Sequence, residues 1–504
     1  MKQFNAIYVF IAALTLFYTL IGYPKIVFKR PQSIHQWAQC DRGSVALNFY
    51  QTGVDVLHPR THNIENNSGI SGMEFPLIQI VVAVLYRIFG FHEYLYRLVV
   101  FITFFTGVVF SFKLCRLFLH NDFLSAIPSF LIVSSPVLAY YALTFLPEAA
   151  SLGLAFIAWY YFILQYKKKE KHTGKIVIFS MISALIKITS LINPAIMFLL
   201  VIANTTKEPF LTKLKNNAAF IVIPIFVFTW YFYAKFLNEQ YHSDVFNLSI
   251  KPGFSLSKLQ SICNHVSNLW WWRFYPQKYF IVLILSSIIA IYFKKYVNRL
   301  LLRITILLYI FSMIFFILMA EQFRHHDYYI IPLMPVLLFH WILLIDVFSK
   351  IKIKNARLIL IASSLFILAY NISDSKDHLR TAYKKDSWKY GSVTFDAYFN
   401  IEKVLRSYHL NSQTGILSIY DYSPNISLYL MNQRGITVDT TTSEVELLKI
   451  IRNTNHSYAI LNNFNAKRLD YVIDSLSLGK CIFRNDTLSL FKLTPEKYRE
   501  QNIQ

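Results

Sequence analysis

Charged residues that could bind or activate a substrate lie in a few short segments between long apolar runs. The first segment runs from His35 to Tyr50 and contains Asp41 beside Arg42. A carboxylate can take a proton from an attacking hydroxyl, and a guanidinium can hold a phosphate through two parallel hydrogen bonds. Asp41 can equally cap a helix or pair with Arg42, while Arg42 and Arg60 can contact lipid headgroups. These residues allow acid–base and phosphate-binding chemistry without requiring it.

Lys187 is a second candidate, because it separates two apolar segments, residues 175–187 and 189–204. At 1.5 Å per helical residue, each segment is too short to cross about 30 Å of hydrocarbon. A pair of interrupted helices around an ionisable residue is typical of a binding site in a membrane protein. A lysine here can also extend its amine to the membrane surface, which is a purely structural role.

A third cluster runs from Glu321 to Tyr329 and includes Arg324, His326 and Asp327. Histidine and aspartate together suggest a metal site, but adjacent histidines point apart on a helix. A polar and aromatic belt at the membrane–water boundary explains the same residues. The spacing leaves room for a divalent metal without demanding one, and no other cofactor is predicted.

The elements that carry these residues follow from the distribution of hydrophobicity. Of the 504 residues, 55% are hydrophobic and 15% are charged, and the mean hydropathy is +0.39. Long uncharged runs recur from residue 5 to about residue 372, which predicts a polytopic α-helical membrane protein. The remaining residues mix polar and apolar types. We therefore predict a transmembrane domain over residues 1–372 and a soluble α/β domain over residues 373–504.

The net charge is +22, and lysine and arginine concentrate in four short clusters between the apolar runs: residues 167–169, 207–215, 294–299 and 350–357. Short basic loops beside membrane spans are typical of the cytoplasmic face. This distribution argues against a nucleic-acid-binding protein, for which a basic charge would otherwise be an indication.

The basic clusters also determine the predicted topology. Hydropathy gives twelve apolar segments, but counting residues 74–90 as a span would place all four basic clusters on the outer side. We therefore expect residues 74–90 to form a tilted or re-entrant helix within an outer loop of residues 24–95. The N-terminus is then cytoplasmic and the C-terminal domain extracytoplasmic. The eleven predicted spans are residues 5–23, 96–118, 123–142, 148–166, 175–187, 189–204, 217–237, 278–293, 300–319, 328–347 and 356–372.

Local patterns predict the elements on the outer face. Ala46, Phe49 and Tyr50 have helical spacing, which predicts an amphipathic helix along the membrane surface with Asp41 at its start. Residues 238–277 are expected to form another outer loop. In the C-terminal domain, helices are expected over residues 397–408, after Ser423-Pro424-Asn425 and over 444–452, and strands over 415–420, 458–461 and 487–492. No glycine-rich loop follows the first strand, so nucleotide binding is not predicted.

Several different short motifs follow one another along the first part of the chain. They are Asp41 after the first span, Met73-Glu74-Phe75-Pro76-Leu77, Leu85-Tyr86-Arg87-Ile88-Phe89-Gly90, and Thr144-Phe145-Leu146-Pro147-Glu148 after the next two spans. This order resembles glycosyltransferase family 39, which has the GT-C fold. Relatives include protein O-mannosyltransferases and the aminoarabinose transferases that modify lipid A. The resemblance covers roughly residues 5–345.

The resemblance implies a membrane glycosyltransferase that moves a sugar from a polyprenyl-phosphate carrier to an extracytoplasmic acceptor. Asp41 matches the acidic residue that the family uses as catalytic base. Glu74 and Glu148 match two further acidic positions, the second of which is more often Asp. The residues expected to bind substrate or the carrier phosphate are Arg42, Arg60, Lys187, Arg324, His326 and Tyr329. The implied partners are a polyprenyl-phosphate-linked sugar and the lipid bilayer, and the implied location is the bacterial inner membrane.

Two other functional classes remain open at this stage. The interrupted helices at Lys187 also suit a transporter or flippase for a lipid-linked sugar, although no repeat of the spans is visible. An O-antigen ligase or polymerase would also have large outer loops. The sequence names neither the sugar nor the acceptor, which could be a protein, a glycolipid or a polysaccharide.

Overall fold

The computed structural model describes residues 2–66, 68–203, 209–246, 250–352, 355–384, 395–439, 441–462 and 479–493 of a mostly helical chain. The helices up to residue 240 are α1 (Lys2–Leu20), α2 (Gln36–Thr52), α3 (Leu77–Phe89), α4 (Glu93–Leu119), α5 (Asp122–Val133), α6 (Pro136–Tyr141), α7 (Glu148–Lys168), α8 (Thr173–Ile186), α9 (Ile192–Ile202), α10 (Phe210–Asn216) and α11 (Ala219–Gln240). The later helices are α12 (Leu256–Leu269), α13 (Trp271–Phe274), α14 (Gln277–Tyr292), α15 (Arg299–Leu318), α16 (Ala320–His325), α17 (Met334–Lys350), α18 (Ala356–Ala382), α19 (Ile401–Ser407), α20 (Ile426–Met431) and α21 (Glu444–Asn453).

The predicted multi-span architecture is confirmed. Among the described residues, six helical segments are long and apolar enough to cross a membrane: α4, α7, α11, α15, α18 and the segment Asp327–Lys350. Six shorter apolar helical segments accompany them: Asn5–Leu20, Leu77–Phe89, Asp122–Val133, Thr173–Ile186, Ile188–Ile202 and Gln277–Tyr292. Each of the twelve apolar segments found by hydropathy thus contains an apolar helix.

The helix α3 occupies the segment for which hydropathy and charge disagreed. It has 13 residues, and at 1.5 Å per residue it is about 20 Å long, shorter than the roughly 30 Å of bilayer hydrocarbon. This length agrees with a helix that does not cross the bilayer. The placement of α3 outside the membrane and the orientation of the two termini stay predictions.

Several predicted boundaries differ from those in the structure. The segment 123–142 is two helices, because Ser135 caps a new helix that starts at Pro136. The segment 328–347 begins as a 3₁₀ helix, Asp327–Leu333, which contains Pro332, a residue without a backbone N–H. The loop 238–277 contains α12 and α13, and α18 continues ten residues beyond residue 372 to Ala382.

The helix interruption at Lys187 is confirmed. Lys187 has an extended backbone (φ −156°, ψ 105°) that ends α8, and a 3₁₀ helix, Ile188–Leu191, then leads into α9. The extended residue turns the lysine side chain away from the regular surface of either helix. The break therefore makes Lys187 available to residues on neighbouring helices.

By internal contacts the chain divides into two compact units. The first unit comprises Met1–Phe28, Arg97–Phe232 and Leu248–Thr381, and the second comprises Lys29–Tyr96, Tyr233–Asn247 and Ala382–Gln504. The second unit thus combines most of the outer loop 24–95 with the C-terminal region. The division into a transmembrane domain, residues 1–372, and a soluble domain, residues 373–504, stays a prediction.

The membrane helices of the first unit approach closely at two glycines. A Cβ atom at Gly107 of α4 would lie 2.1 Å from the Cα atom of Gly153 of α7, and a Cβ atom at Gly153 would lie 2.7 Å from the carbonyl oxygen of Thr103. Side chains cannot occupy that space, so only glycine allows these backbones to touch. Small residues at such crossings are a common way for membrane helices to associate.

The helix α2 of the second unit differs from its prediction. It begins at Gln36, so Asp41 lies in its second turn and not at its start, and the residues from Gln36 to Phe49 are buried except Trp37, which is partly buried. The helices α3 and α20 pack against it within the unit. The predicted amphipathic surface helix is therefore wrong, because protein, and not the membrane surface, covers both its apolar and its polar side chains.

The C-terminal part of the second unit is a five-stranded mixed sheet. Its strands are β1 (Ile416–Ile419), β2 (Gly435–Val438), β3 (Tyr458–Asn462), β4 (Gly479–Arg484) and β5 (Leu488–Leu493), in the spatial order β2-β1-β3-β5-β4. The strand β1 pairs in parallel with β2 and β3, whereas β5 is antiparallel to β3 and β4. Apolar residues of α21 pack on β1, β3 and β5 to form the core.

The sequence predicted β1, β3 and β5 but missed β2 and β4. The missed strands are the two edges of the sheet. β4 is only partly buried, and two of the four residues of β2 are only partly buried. Edge strands bury little apolar surface and so carry a weak hydrophobic signal. The helices predicted near 397–408, 426 and 444–452 are present, the first of them as a 3₁₀ helix, Phe395–Asn400, followed by α19.

Replacement of Gly153 should destabilise the first unit. We expect Gly153→Val to lower the free energy of unfolding by about 1–3 kcal/mol, because the added carbons collide with the backbone of α4. Thermal unfolding of the purified protein in detergent measures the change. Gly174→Ala is the matched control, since a Cβ atom there meets nothing within 4 Å. An unchanged unfolding temperature for Gly153→Val would contradict the helix crossing.

Candidate functional site

The first unit contains a buried ion pair between two of the predicted site residues. The Lys187 Nζ atom lies 2.5 Å from Oε1 of Glu148, whose side chain is fully buried. Glu148 is the first residue of α7, where the helix dipole favours a carboxylate. The helices α7 and α8 pack along each other, which brings residue 148 and the break at residue 187 together. Each charge compensates the other in surroundings with little water.

Aromatic rings complete the surroundings of this lysine. The Lys187 Nζ atom lies 5.4 Å from the ring centre of Tyr328 and 4.8 Å from that of Tyr329. Both tyrosines belong to the 3₁₀ helix Asp327–Leu333, which packs against α7. An ammonium group is attracted to the faces of such rings. The structure therefore brings Glu148, Lys187 and Tyr329 into one cluster, and their role in a reaction stays a prediction.

Three further residues of this region were not among the predicted site residues. The Tyr141 hydroxyl donates a hydrogen bond of 2.5 Å to Oδ1 of Asp327, and its ring packs against Tyr328. Arg97 is fully buried and donates to the carbonyl oxygen of Leu143, which fixes the turn before Glu148. Asp327 belongs to the cluster of residues 321–329 that the sequence analysis singled out. Its hydrogen bond with Tyr141, which is distant in sequence, could not be predicted from that cluster.

The other two predicted residues of this unit have different surroundings. Arg324 pairs with Glu321 at 3.0 Å on a partly exposed face, where Lys258 also reaches Glu321 at 3.3 Å. The His326 ring packs beside Tyr328 and Tyr329. Their assignment to substrate or carrier binding stays a prediction.

The second unit contains a second buried ion pair. Arg42 Nε and Nη2 lie 2.7 Å and 2.6 Å from Oε1 of Glu74, and less than a tenth of either side chain is exposed. The Arg42 guanidinium also donates to the carbonyl oxygen of Ala38 and lies over the Phe246 ring. Glu74 thus holds the guanidinium of Arg42, so both charges are compensated.

Asp41 is the next residue to this ion pair, but its own carboxylate forms no ion pair among the described residues. Its side chain is almost fully buried, and its Oδ1 atom has no hydrogen-bond partner among the described residues. Burial raises the pKa of Asp41 well above its usual range, and Asp421 and Glu74 raise it further, while Arg42 and a hydrogen bond from Asn425 lower it. A buried carboxylate with an unused acceptor atom is the kind of group that can receive a proton.

Asn425 and Asp421, both from the C-terminal region, were missed as neighbours of Asp41. The Asn425 amide also donates to the carbonyl oxygen of Cys40, at 3.4 Å. The Asp421 carboxylate accepts hydrogen bonds from the backbone N–H groups of Ser423 and Ser427, which fixes the loop that carries Asn425. Apart from the predicted helix start after Asn425, no pattern in the sequence indicates these neighbours.

A cluster able to hold a metal ion does not occur in the described part of the chain, where no three His, Cys, Asp or Glu side chains converge. The predicted site residues fall in both units. Asp41, Arg42, Arg60 and Glu74 belong to the second unit, and Glu148, Lys187, Arg324, His326 and Tyr329 belong to the first.

Comparison with known proteins identifies the fold. No protein-family model and no curated protein sequence matches the chain. Among solved structures, the chain is similar to ArnT from Cupriavidus metallidurans in the apo state, with a TM-score of 0.61 and 11% identity over 98% of this chain and 99% of that one. It is also similar to the same protein bound to undecaprenyl phosphate, with a TM-score of 0.60 and 11% identity over 96% and 97% of the chains. The chain therefore has the GT-C fold of ArnT, as predicted.

Loss of Glu74 should destabilise the second unit, because Arg42 would remain as a buried charge without its carboxylate. We expect Glu74→Ala to lower the free energy of unfolding by about 3–5 kcal/mol. Adding Arg42→Met to this variant should restore much of the loss. Thermal unfolding in detergent measures both.

Glu239→Ala is the control for this experiment, since it breaks the exposed pair of Glu239 with Lys235. Its unfolding temperature should stay unchanged. Equal effects of Glu74→Ala and Glu239→Ala would show that the Arg42–Glu74 pair is not buried as described.

Proposed function

We propose that this protein is a membrane glycosyltransferase that takes a sugar from a polyprenyl-phosphate carrier. The observation that carries the proposal is the likeness to ArnT over nearly the whole chain, including a structure of ArnT bound to undecaprenyl phosphate. The ordered acidic and basic residues of the sequence support the same reaction. The acceptor is a hydroxyl-bearing protein, glycolipid or polysaccharide on the outer side of a bacterial inner membrane.

In the proposed reaction the acceptor oxygen attacks the anomeric carbon of the carried sugar. The bond between that carbon and the phosphate oxygen breaks, and polyprenyl phosphate leaves with the bonding electron pair. Asp41 takes the proton of the acceptor hydroxyl as general base. Its burial and its unused Oδ1 atom support this role, because a base must have an oxygen available for the proton.

The leaving phosphate gains negative charge as the bond breaks, and cations beside it lower the barrier. We assign Arg42, which belongs to the same unit as Asp41, to this role as a fork. Glu74 is then a positioning residue, since it holds this cation in place. In the first unit Glu148 likewise holds Lys187, and the part of that pair in the reaction stays a prediction. This proposal changes the part expected of Glu74 from direct catalysis to orientation.

Transfer should depend on the Asp41 carboxylate. With a polyprenyl-phospho-sugar donor and a cell-envelope extract as acceptor, we expect Asp41→Asn to reduce the rate of sugar transfer by about 10²–10⁴-fold. Asp55→Asn is the matched control, because Asp55 is half exposed and pairs with His58. Its rate should equal that of the natural protein.

Transfer that is unchanged by Asp41→Asn would overturn the proposed base. Movement of a labelled lipid-linked sugar across proteoliposomes without any transfer would instead identify a flippase. The two outcomes separate an error in the residue from an error in the function.

The pH dependence of transfer should report the ionisation of Asp41. A base acts only when it is deprotonated, and burial raises the pKa of Asp41. The rate of transfer should therefore rise with pH, at pH values well above those at which an aspartate usually ionises. Asn425→Asp removes a hydrogen-bond donor and adds a further acid beside Asp41. Both changes raise the pKa of Asp41, so the rise in rate should shift to higher pH. Initial rates across a pH series measure the shift.

Asn411→Asp is the control for the pH series. It adds the same charge to the C-terminal region, but the Asn411 side-chain oxygen only caps its own loop and Asp can do the same. A pH profile that moves equally in Asn425→Asp and Asn411→Asp would contradict a local effect on Asp41.

A further inference from the structure

Two arginines of the second unit come together at the edge of the C-terminal sheet. Arg60 lies in the outer loop, and Arg434 directly precedes β2. The Gly435 N–H donates to the carbonyl oxygen of His62 at 3.0 Å, and the Ile64 N–H donates to the carbonyl oxygen of Gly435 at 2.8 Å. Backbone hydrogen bonds thus fix the segment that carries Arg60 beside the segment that carries Arg434.

Both arginines are partly exposed, but each buries a donor that lacks an acceptor among the described residues. The Nε atoms of Arg60 and Arg434 are both buried and without a hydrogen-bond partner in the described part of the chain. The ion pairs of the described residues include neither arginine; the nearby Glu402, for example, pairs with Arg406. Arg434 makes one long hydrogen bond, of 3.3 Å, from Nη2 to Oδ1 of Asn48. A buried donor without an acceptor is costly, so native proteins seldom leave one.

The two positive charges also repel each other. Burial lowers the pKa of Arg434, and the charge of Arg60 lowers it further. An arrangement of two like charges without a carboxylate is unfavourable by itself and becomes favourable when an anion lies between them.

Three polar side chains near Arg434, those of His62, Ser44 and Asn48, are neutral. Burial and the charge of Arg434 lower the pKa of His62 to about 3, so its ring is uncharged at neutral pH. The ring is held by the Ser44 hydroxyl and lies 3.5 Å from the Asn48 amide nitrogen. These groups bound the arginine pair on the α2 side without compensating its charge.

We propose that Arg60 and Arg434 together bind an oxyanion, a phosphate or carboxylate group carried by a ligand. Guanidinium groups match both anions through paired N–H donors. Both side chains are partly exposed, so an anion can reach them from solvent. The proposal adds Arg434 to the chain's binding residues and gives Arg60 a partner in its own unit. It does not depend on the proposed transferase reaction.

Binding of inorganic phosphate to the purified full-length protein in detergent tests this site. We expect phosphate, compared with chloride at equal ionic strength, to raise the unfolding temperature by on the order of 1–2 °C when it is well above its dissociation constant. Arg60→Gln and Arg434→Gln should each abolish the rise. Lys403→Gln, which removes an exposed positive charge of the same region, should keep it.

A second titration with dodecyl phosphate distinguishes a lipid-borne phosphate from a soluble one. Stronger stabilisation by dodecyl phosphate supports a lipid headgroup, and equal stabilisation supports a soluble group. Without phosphate, each arginine variant should unfold at the same temperature as the natural protein or higher, because the repulsion is relieved. The proposal is overturned if phosphate has no effect on the natural protein, or if the Arg60→Gln/Arg434→Gln variant responds to it equally.

Discussion

Burying a charge away from water costs free energy unless an opposite charge or hydrogen bonds compensate it. In a chain that is 55% hydrophobic, this cost constrains where buried acids and bases lie. Lys187 with Glu148 and Arg42 with Glu74 are the two results of this constraint among the predicted site residues. A third pair, Arg30 with Glu93, uses its remaining donors on the carbonyl oxygens of Phe399 and Leu430. Each pair joins segments that are far apart in sequence.

The same constraint separates the candidate base from the other acids. Glu74 and Glu148 each form an ion pair with one cation, whereas Asp41 forms no ion pair among the described residues. Its buried Oδ1 atom, like the carboxylate oxygens of Glu148, has no hydrogen-bond partner there. The ionisation of Asp41 then depends on a balance between burial, two neighbouring acids, Arg42 and the amide of Asn425. The C-terminal region therefore contributes to the chemistry proposed for α2 and does more than cover it.

The fold tolerates extensive change in sequence. ArnT and this chain share 11% identity with a TM-score of 0.61, so few particular side chains are needed to define the architecture. What is needed are apolar helices of suitable length, and points such as Gly107 and Gly153 where two backbones touch. Function must accordingly be argued from individual residues and their surroundings, because a fold can carry several chemistries.

The sequence by itself determined the apolar helices, the break at Lys187 and the three inner strands of the sheet, because hydrophobic periodicity is a local property. The order of the motifs also predicts which acids and bases form the site, and that stays a prediction. Only the tertiary structure decided that α2 is buried, that Glu74 holds Arg42, and that the Asn425 amide donates to the carbonyl oxygen of Cys40, beside Asp41. The partners in these contacts are separated by 32 residues for Arg42 and Glu74, and by 385 for Cys40 and Asn425. No local pattern records such distances, since the pairing of buried charges depends on how distant segments pack.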